Sequence, residues 1–176
     1  LQLGETSRAQ ALLDRIQLKH ANHAHVQSAQ IRLQLDQGDI KGSRGTLKEL
    51  LKTHPDSAEP RILYARLLMK TGNESAAARL LQEAVSVNPH AMGAREALAL
   101  LLMRLGQASA AIDHLAHLCD GDASHKRYCT MLGEAHLAAA APQRALGWAD
   151  TVLKANPKAM GALDLRARSL IALGKV

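Results

Sequence analysis

The chain has 176 residues, of which 47% are hydrophobic and only 2% are aromatic, and its formal net charge is +6. The 22 basic residues are interleaved with 16 acidic ones without a run of five like charges, which favours a solvated surface over a nucleic-acid-binding stripe. No apolar stretch approaches the roughly 20 residues that a membrane-spanning helix needs. We therefore expect neither nucleic-acid binding nor direct membrane insertion.

Turn-forming residues recur along the chain with one fixed period. Small residues follow each other at multiples of 34 positions, at Gly4, Gly38, Gly72, Gly106, Ala140 and Gly174. A second series keeps the same period, at Pro55, Pro89, Ala123 and Pro157. A constant period of this length without insertions indicates a repeat array, in which each unit packs only against its neighbours.

Apolar and small residues keep the same period and predict two helices per unit. One helix carries a small residue at Ala9, Ser43, Ala77, Ala111 and Ala145, and a mostly leucine position four residues later, at Leu13, Leu47, Leu81, Leu115 and Ala149. The other helix carries Ile31, Ala65, Ala99, Gly133 and Ala167. Glycine ends the first helix of each unit as a left-handed cap, and proline blocks continuation of the second.

In chain order, the period predicts the second helix of a partial repeat over residues 1–23, with Leu1 in the last turn of the preceding helix and a turn at Gly4. Full units follow at residues 24–57, 58–91, 92–125 and 126–159. Residues 160–176 supply one further first helix. Because the chain begins at Leu1 without an initiator methionine, we expect a piece of a longer protein, whose array continues in both directions. The absence of a targeting signal then says nothing about the compartment of the protein.

These columns resemble the tetratricopeptide repeat family, whose pattern has a small residue at position eight, Gly at fifteen, Ala at twenty and Pro at thirty-two. The resemblance covers the whole chain and implies an all-α fold, a right-handed α-solenoid of ten helices in antiparallel pairs forming a single array. The large aromatic residue of position four is replaced here, by Gln27, Arg61, Arg95, Cys129 and Leu163. A 35-residue RNA-binding helical repeat is excluded, because its period is one residue longer than the 34 residues found here.

The resemblance further implies a concave groove, lined by the first helices, that binds a peptide, a helix or a protein. Positions five, nine, twelve and thirteen supply its predicted lining: Arg32, Leu35, Ile62, Arg66, Met69, Lys70, Glu96, Leu100, Met103, Arg104, Glu134, Leu137, Arg168 and Ile171. Position twelve is apolar in every unit, which suits an amphipathic segment with acidic edges; packing of that row against the neighbouring helix is the alternative. The Lys and Asn clamp that grips heat-shock chaperone tails is absent.

Cys119 and Cys129 are the only thiols and stand on opposite sides of a predicted connecting loop. Adjacent helix turns bring their Cα atoms within disulfide range, so a disulfide is expected, with free buried thiols as the alternative. A metal site with His114, His117 and His125 is a third possibility, but the spacing matches no zinc module. We expect no metal.

Nothing in the sequence predicts catalysis: each glycine is explained by a turn or by tight packing, and no strained nucleophile turn occurs. We therefore predict a non-enzymatic scaffold without a cofactor, with a protein or peptide partner, in assembly of a bacterial envelope complex such as a pilus, outer-membrane or exopolysaccharide export machinery. A regulatory arm of a larger enzyme and a cytosolic adaptor are the alternatives. The periplasm is the favoured compartment, and apolar repeat ends predict self-association.

Overall fold

The computed structural model describes residues 2–20, 23–119 and 126–175, and within these ranges the chain forms ten helices and no strand. In chain order the helices are α1 (Gln2–His20), α2 (Ala24–Gln37), α3 (Ile40–Thr53), α4 (Ala58–Lys70), α5 (Glu74–Val87), α6 (Met92–Arg104), α7 (Ala108–Cys119), α8 (Lys126–Ala138), α9 (Pro142–Ala155) and α10 (Met160–Ala172). Consecutive helices pack in pairs, so the fold class is all-α and of the α-solenoid type, as predicted.

The chain divides into two compact units, residues 1–94 and 95–176. In the first unit, α2 contacts both α3 and α4, and α4 contacts α5. In the second unit, α8 contacts α7, α9 and α10. The exact repeat boundaries at 24–57, 58–91, 92–125 and 126–159 stay a prediction.

Each unit has its own apolar interior. In the first unit six fully buried side chains form one cluster: Ile31, Leu35, Leu47, Leu50, Leu63 and Leu67. In the second unit Ala145 and Ala149 of α9 meet Leu165 of α10, with Leu137 packed against them. Aliphatic side chains make up both interiors, and the half-buried Tyr64 packs against the cluster of the first unit.

Glycine ends the first helices as the period predicts. Gly38, Gly72, Gly106 and Gly174 all have positive φ angles, between 66° and 80°. Ala140 takes the same left-handed conformation with φ 57°, as the one non-glycine residue to do so in the described ranges. The three prolines of the second series, Pro55, Pro89 and Pro157, stand in the turns that follow α3, α5 and α9.

Gly4 departs from this pattern. A turn was expected there, but α1 runs without interruption from Gln2 to His20, so Gly4 lies inside a helix. A glycine alone does not end a helix unless packing turns the chain back at that point, because its intrinsic cost in a helix is only about 1 kcal/mol. The predicted turn at Gly4 is therefore wrong.

Side-chain caps begin two of the second helices. The carboxylate of Asp39 accepts a hydrogen bond of 2.9 Å from the backbone N–H of Gly42, and the amide oxygen of Asn73 accepts one of 3.3 Å from Ala76. Each cap follows directly after a left-handed glycine, at Gly38 and Gly72. Together the glycine and the cap fix a tight antiparallel connection between the two helices of a pair.

Candidate functional site

In the first unit, the predicted lining residues lie on the neighbouring helices α2 and α4. Arg32, Arg66 and Lys70 are exposed, while Ile62 and Met69 are half-buried. On α4 these residues are spaced by three or four positions, which places Ile62, Arg66, Met69 and Lys70 on one face of the helix. We call these four residues the α4 patch.

Leu35 is placed differently from its expected position in the groove. Its side chain is only 1% exposed and belongs to the interior cluster of the first unit. Its backbone carbonyl oxygen accepts a hydrogen bond from Nζ of Lys70. Packing against the neighbouring helix, the alternative considered for the apolar row, therefore describes Leu35, and we leave it out of the candidate surface.

Arg32 already has an intramolecular partner, since its guanidinium forms an ion pair with Glu59 at the start of α4. The repeat period places Arg66 and Gly93 where Arg32 and Glu59 stand one unit earlier. Gly93 has no side chain, and within the described residues Arg66 forms no ion pair or hydrogen bond. The patch therefore carries an exposed cation whose equivalent in the preceding unit is neutralised.

In the second unit, Glu96 is engaged by two residues of α8. Its carboxylate accepts a hydrogen bond of 2.8 Å from Arg127 and another of 2.9 Å from the hydroxyl of Tyr128. Burial, and then the hydrogen bond to Glu96, raises the pKa of Tyr128. Arg127 also lies over the Tyr128 ring, 5.7 Å from its centroid, at a distance typical of a cation–π contact.

The remaining predicted residues of the second unit vary in accessibility. Leu100 is 43% exposed and Ile171 is 62% exposed. Met103, Glu134 and Leu137 are half-buried, and Arg104 and Arg168 are exposed, the latter paired with Asp164 at 3.3 Å. Leu137 packs against the interior of this unit.

The sequence analysis missed position two of the first helices. Glu59 and Arg127 stand at this position and pair with a residue of the preceding first helix, Arg32 and Glu96 respectively. The signal was present in the sequence, because the charges at position two are opposite to those they meet. Gly93 at the same position is equally informative, since it removes such a partner.

The structure joins Cys119 in the last turn of α7 to Cys129 in the first turn of α8 by a disulfide, with the two sulfur atoms 2.13 Å apart and the Cα atoms 4.8 Å apart. Both residues are buried. His125, one of the metal ligands considered above, lies outside the described residues. Across residues 2–20, 23–119 and 126–175 no group of three or more His, Cys, Asp or Glu side chains is arranged to hold a metal ion.

Two histidines of the second unit have a pKa below the ordinary value for histidine. Burial lowers the pKa of His136, which is 6% exposed, and Arg144 acts in the same direction. Burial, and next the charge of Arg95, lowers the pKa of His114. Both groups therefore favour the neutral imidazole inside the fold.

No helix in the described ranges has the length and apolar character to cross a membrane.

Stacked helix pairs with glycine-capped turns define a helical-repeat protein. Residues 34–90 match the sequence model of the tetratricopeptide repeat family. The paired helices in the rest of the described residues agree with that match, so the chain has a tetratricopeptide repeat fold. A fold of this kind is a scaffold for protein–protein interaction.

Solved structures with the same fold cover most of the chain. MamA protein aligns with a TM-score of 0.73 and 17% identity, over 86% of this chain and 83% of that one. TTC0263, a thermophilic TPR protein in Thermus thermophilus, aligns with a TM-score of 0.64 and 22% identity over 97% and 92% of the two chains. YrrB, described as a TPR protein with an unusual peptide-binding site, aligns with a TM-score of 0.67 and 19% identity over 94% and 86%. No match is found among curated proteins.

Proposed function

We propose that the α4 patch binds an amphipathic segment of a partner protein whose acidic residues lie beside apolar ones. The half-buried side chains of Ile62 and Met69 offer apolar contact, and methionine adapts to irregular surfaces. Arg66 lies between them on the same helix face. A peptide or helix with one acidic edge matches this arrangement in both polarity and charge.

The single observation that carries this proposal is the missing carboxylate opposite Arg66. In the preceding unit Glu59 neutralises Arg32, whereas Gly93 leaves Arg66 without an equivalent partner. A partner carboxylate would supply the contact that Glu59 supplies to Arg32. Charge-assisted hydrogen bonds of arginine to carboxylates are among the stronger polar contacts in proteins.

We propose assembly of a bacterial envelope complex, such as a pilus, outer-membrane or exopolysaccharide export machinery, as the setting for this binding. The disulfide between Cys119 and Cys129 supports it, because such bridges persist in oxidising compartments such as the periplasm. The test is the intact mass of protein isolated with its thiols protected, before and after alkylation. Two alkylated cysteines without prior reduction would contradict the envelope setting and favour a cytosolic adaptor.

The binding site is tested with a defined probe. A synthetic amphipathic peptide with a leucine face and a glutamate edge is titrated against the chain by fluorescence anisotropy, beside the same peptide with glutamine for glutamate. Arg66→Glu reverses the charge of the patch. Gly93→Glu introduces the missing carboxylate at an exposed position where a Cβ meets nothing within 4 Å, so it neutralises Arg66 without disturbing the packing.

Both variants are expected to weaken binding of the acidic peptide by about tenfold, the equivalent of one lost contact of about 1.4 kcal/mol. Neither variant should weaken binding of the glutamine peptide. The matched control is Arg79→Glu, at an exposed arginine on the second helix α5. An equal loss with Arg79→Glu, or no loss with Arg66→Glu, would rule out the α4 patch as the site.

A further inference from the structure

The second helix α3 carries three cations on one exposed face. Lys41, Arg44 and Lys48 follow each other at intervals of three and four residues, and all three are exposed. This spacing places their side chains on the same side of the helix, over a length of about 10 Å. We call these three residues the α3 cations.

The exposed face of α3 is a lateral surface and not an end of the array. α3 is preceded by α1 and α2 and followed by α4 and α5, and it contacts α2 and α4. The buried residues of α3 are Ser43, Leu47 and Leu50, which the helical period places on another side from the α3 cations. The exposure of the cations therefore does not depend on where the sequence begins or ends.

The other second helices lack cations at these positions. One, two and three periods later the residues are neutral except for one carboxylate: Ser75, Ala78 and Gln82 in α5, Ser109, Ile112 and Ala116 in α7, and Gln143, Leu146 and Asp150 in α9. A residue that the packing of the repeat requires recurs with the period, as the buried leucines do. The α3 cations therefore serve something other than the fold.

The carboxylates next to this face already have partners. Glu49 of α3 forms an ion pair of 3.0 Å with Lys52, and Asp39 accepts a hydrogen bond from the backbone N–H of Gly42. Within the described residues the α3 cations form no ion pair or hydrogen bond. Their charge is consequently left for a ligand.

Gly45 lies among the α3 cations on the helix surface. It follows Lys41 by four residues and precedes Lys48 by three, so both are its neighbours. A Cβ atom at Gly45 would meet nothing within 4 Å, so packing does not require a glycine there. A depression of about 530 Å³ is lined by Gly45, Ile40 and the α3 cations. Glycine is unfavourable inside a helix, but it permits another group to approach the backbone closely.

The depression fits a phospholipid headgroup better than a free small molecule or a protein. Only one helix lines it, so it cannot enclose a small molecule as ligand pockets do. Its one apolar side chain, Ile40, is half-buried, so it offers no anchor of the kind that dominates protein interfaces. A headgroup needs neither, because the bilayer holds it in place and presents many phosphates in one plane.

We propose that the exposed face of α3 docks onto the surface of an anionic phospholipid bilayer, with a headgroup phosphate above Gly45 among the α3 cations. Arginine binds phosphate oxygens through two parallel hydrogen bonds, and lysine contributes a compact charge. Each such cation strengthens binding to an anionic surface by about fivefold. The contact is peripheral and involves no residue of the α4 patch, so it is independent of the proposed peptide binding.

The test measures cosedimentation of the chain with vesicles of phosphatidylcholine and phosphatidylglycerol in equal parts, beside vesicles of phosphatidylcholine alone. Gly45→Glu places a carboxylate among the α3 cations where a Cβ atom has free space. Gly147→Glu is the matched control, because it makes the same charge change at the same repeat position of α9, which is also exposed and free within 4 Å. Lys41→Gln combined with Lys48→Gln removes two cations. Circular dichroism confirms that every variant is folded.

The unmodified chain should bind the anionic vesicles and not the neutral ones, and high salt should release it because the contact is electrostatic. Gly45→Glu should weaken binding by about fivefold, and the double glutamine variant by about 25-fold. Gly147→Glu should bind like the unmodified chain. An equal loss in both glutamate variants would assign the binding to net charge and overturn the site on α3.

The remaining outcomes distinguish other occupants of this face. A chain that does not bind the anionic vesicles overturns the proposal. Displacement from the vesicles by soluble glycerol phosphate at an equal phosphate concentration would assign the depression to a free phosphate ester instead of a membrane. Displacement of Arg66→Glu, whose α4 patch is disabled, by the glutamate-edged peptide would assign the face to an acidic protein segment. Binding that persists at high salt would contradict a peripheral contact.

Discussion

Ala140 occupies a position where the chain elsewhere uses glycine, and replacing it offers a sharp test of the turn. Gly38, Gly72, Gly106 and Gly174 have φ angles between 66° and 80°, and Ala140 has φ 57°. The hydrogen bonds are the same: the N–H of Ala140 donates to the Leu137 carbonyl at 3.1 Å, and the following N–H donates to the His136 carbonyl at 2.8 Å. Ala140→Gly therefore changes the residue without changing the motif.

The expected free-energy change combines two opposing effects. A left-handed conformation costs a non-glycine residue roughly 1–2 kcal/mol, and this cost disappears in Ala140→Gly. Glycine in turn loses about 0.5–1 kcal/mol more conformational entropy on folding than alanine. We expect Ala140→Gly to raise the free energy of unfolding by about 0.5–1 kcal/mol, which corresponds to a rise in melting temperature of roughly 1–4 °C for a chain of this size.

The reciprocal substitution provides the matched control. Gly106→Ala places the same methyl group into the same motif in the same unit, at a site where a Cβ atom meets nothing within 4 Å. It should lower the free energy of unfolding by about the amount that Ala140→Gly adds. Both variants are compared with the original chain by urea unfolding monitored by circular dichroism. A loss of stability in Ala140→Gly, or changes of the same sign in both variants, would refute the argument from backbone conformation.

Three further outcomes follow from the second unit. Gly133→Val should lower the free energy of unfolding by about 1–3 kcal/mol, because a Cβ there would lie 2.4 Å from a leucine methyl of α10. Gly147→Ala, at an exposed site with no neighbour within 4 Å, should raise the free energy of unfolding by about 1 kcal/mol. Urea unfolding of both variants distinguishes the two signs. Reducing the disulfide between Cys119 and Cys129, which are 10 residues apart, should cost about 2–3 kcal/mol, and a melting temperature that dithiothreitol does not change would contradict this. Burial lowers the pKa of His136 below the ordinary histidine value of about 6.5, so just below pH 6.5 the unfolded chain binds more protons than the folded chain. The free energy of unfolding should therefore fall as the pH is lowered through that range. The fall should be smaller in His136→Gln when urea midpoints are compared at neutral and acidic pH.

The 34-residue period was sufficient to predict the helices, their order and most of their turns. Gly38, Gly72 and Gly106 have the backbone conformation that the pattern required, because each stands where the chain must reverse between packed helices. Gly4 has the same spacing, but α1 continues through it. Spacing identifies a residue that permits a turn, whereas packing on both sides decides whether the chain makes one.

The candidate site was less accessible to prediction. The sequence placed Leu35 and Met69 in one apolar row, yet Leu35 is buried and Met69 is half-buried, because the amount of cover depends on the side chains of the neighbouring helix. The significance of Arg66 emerged only once the pairing of Arg32 with Glu59 was visible. Accessibility and pairing are properties of two helices together, and one helix pattern does not contain them.

The contacts within each unit join helices that follow each other closely along the chain: α2 with α3, α3 with α4 and α4 with α5 in the first, and α7 with α8, α8 with α9 and α9 with α10 in the second. Forming such contacts closes only short loops, which is the condition for rapid folding. Structure can therefore start at any helix pair and spread to its neighbours. During synthesis, each pair can become ordered as soon as its second helix has left the ribosome, without waiting for the remainder of the chain.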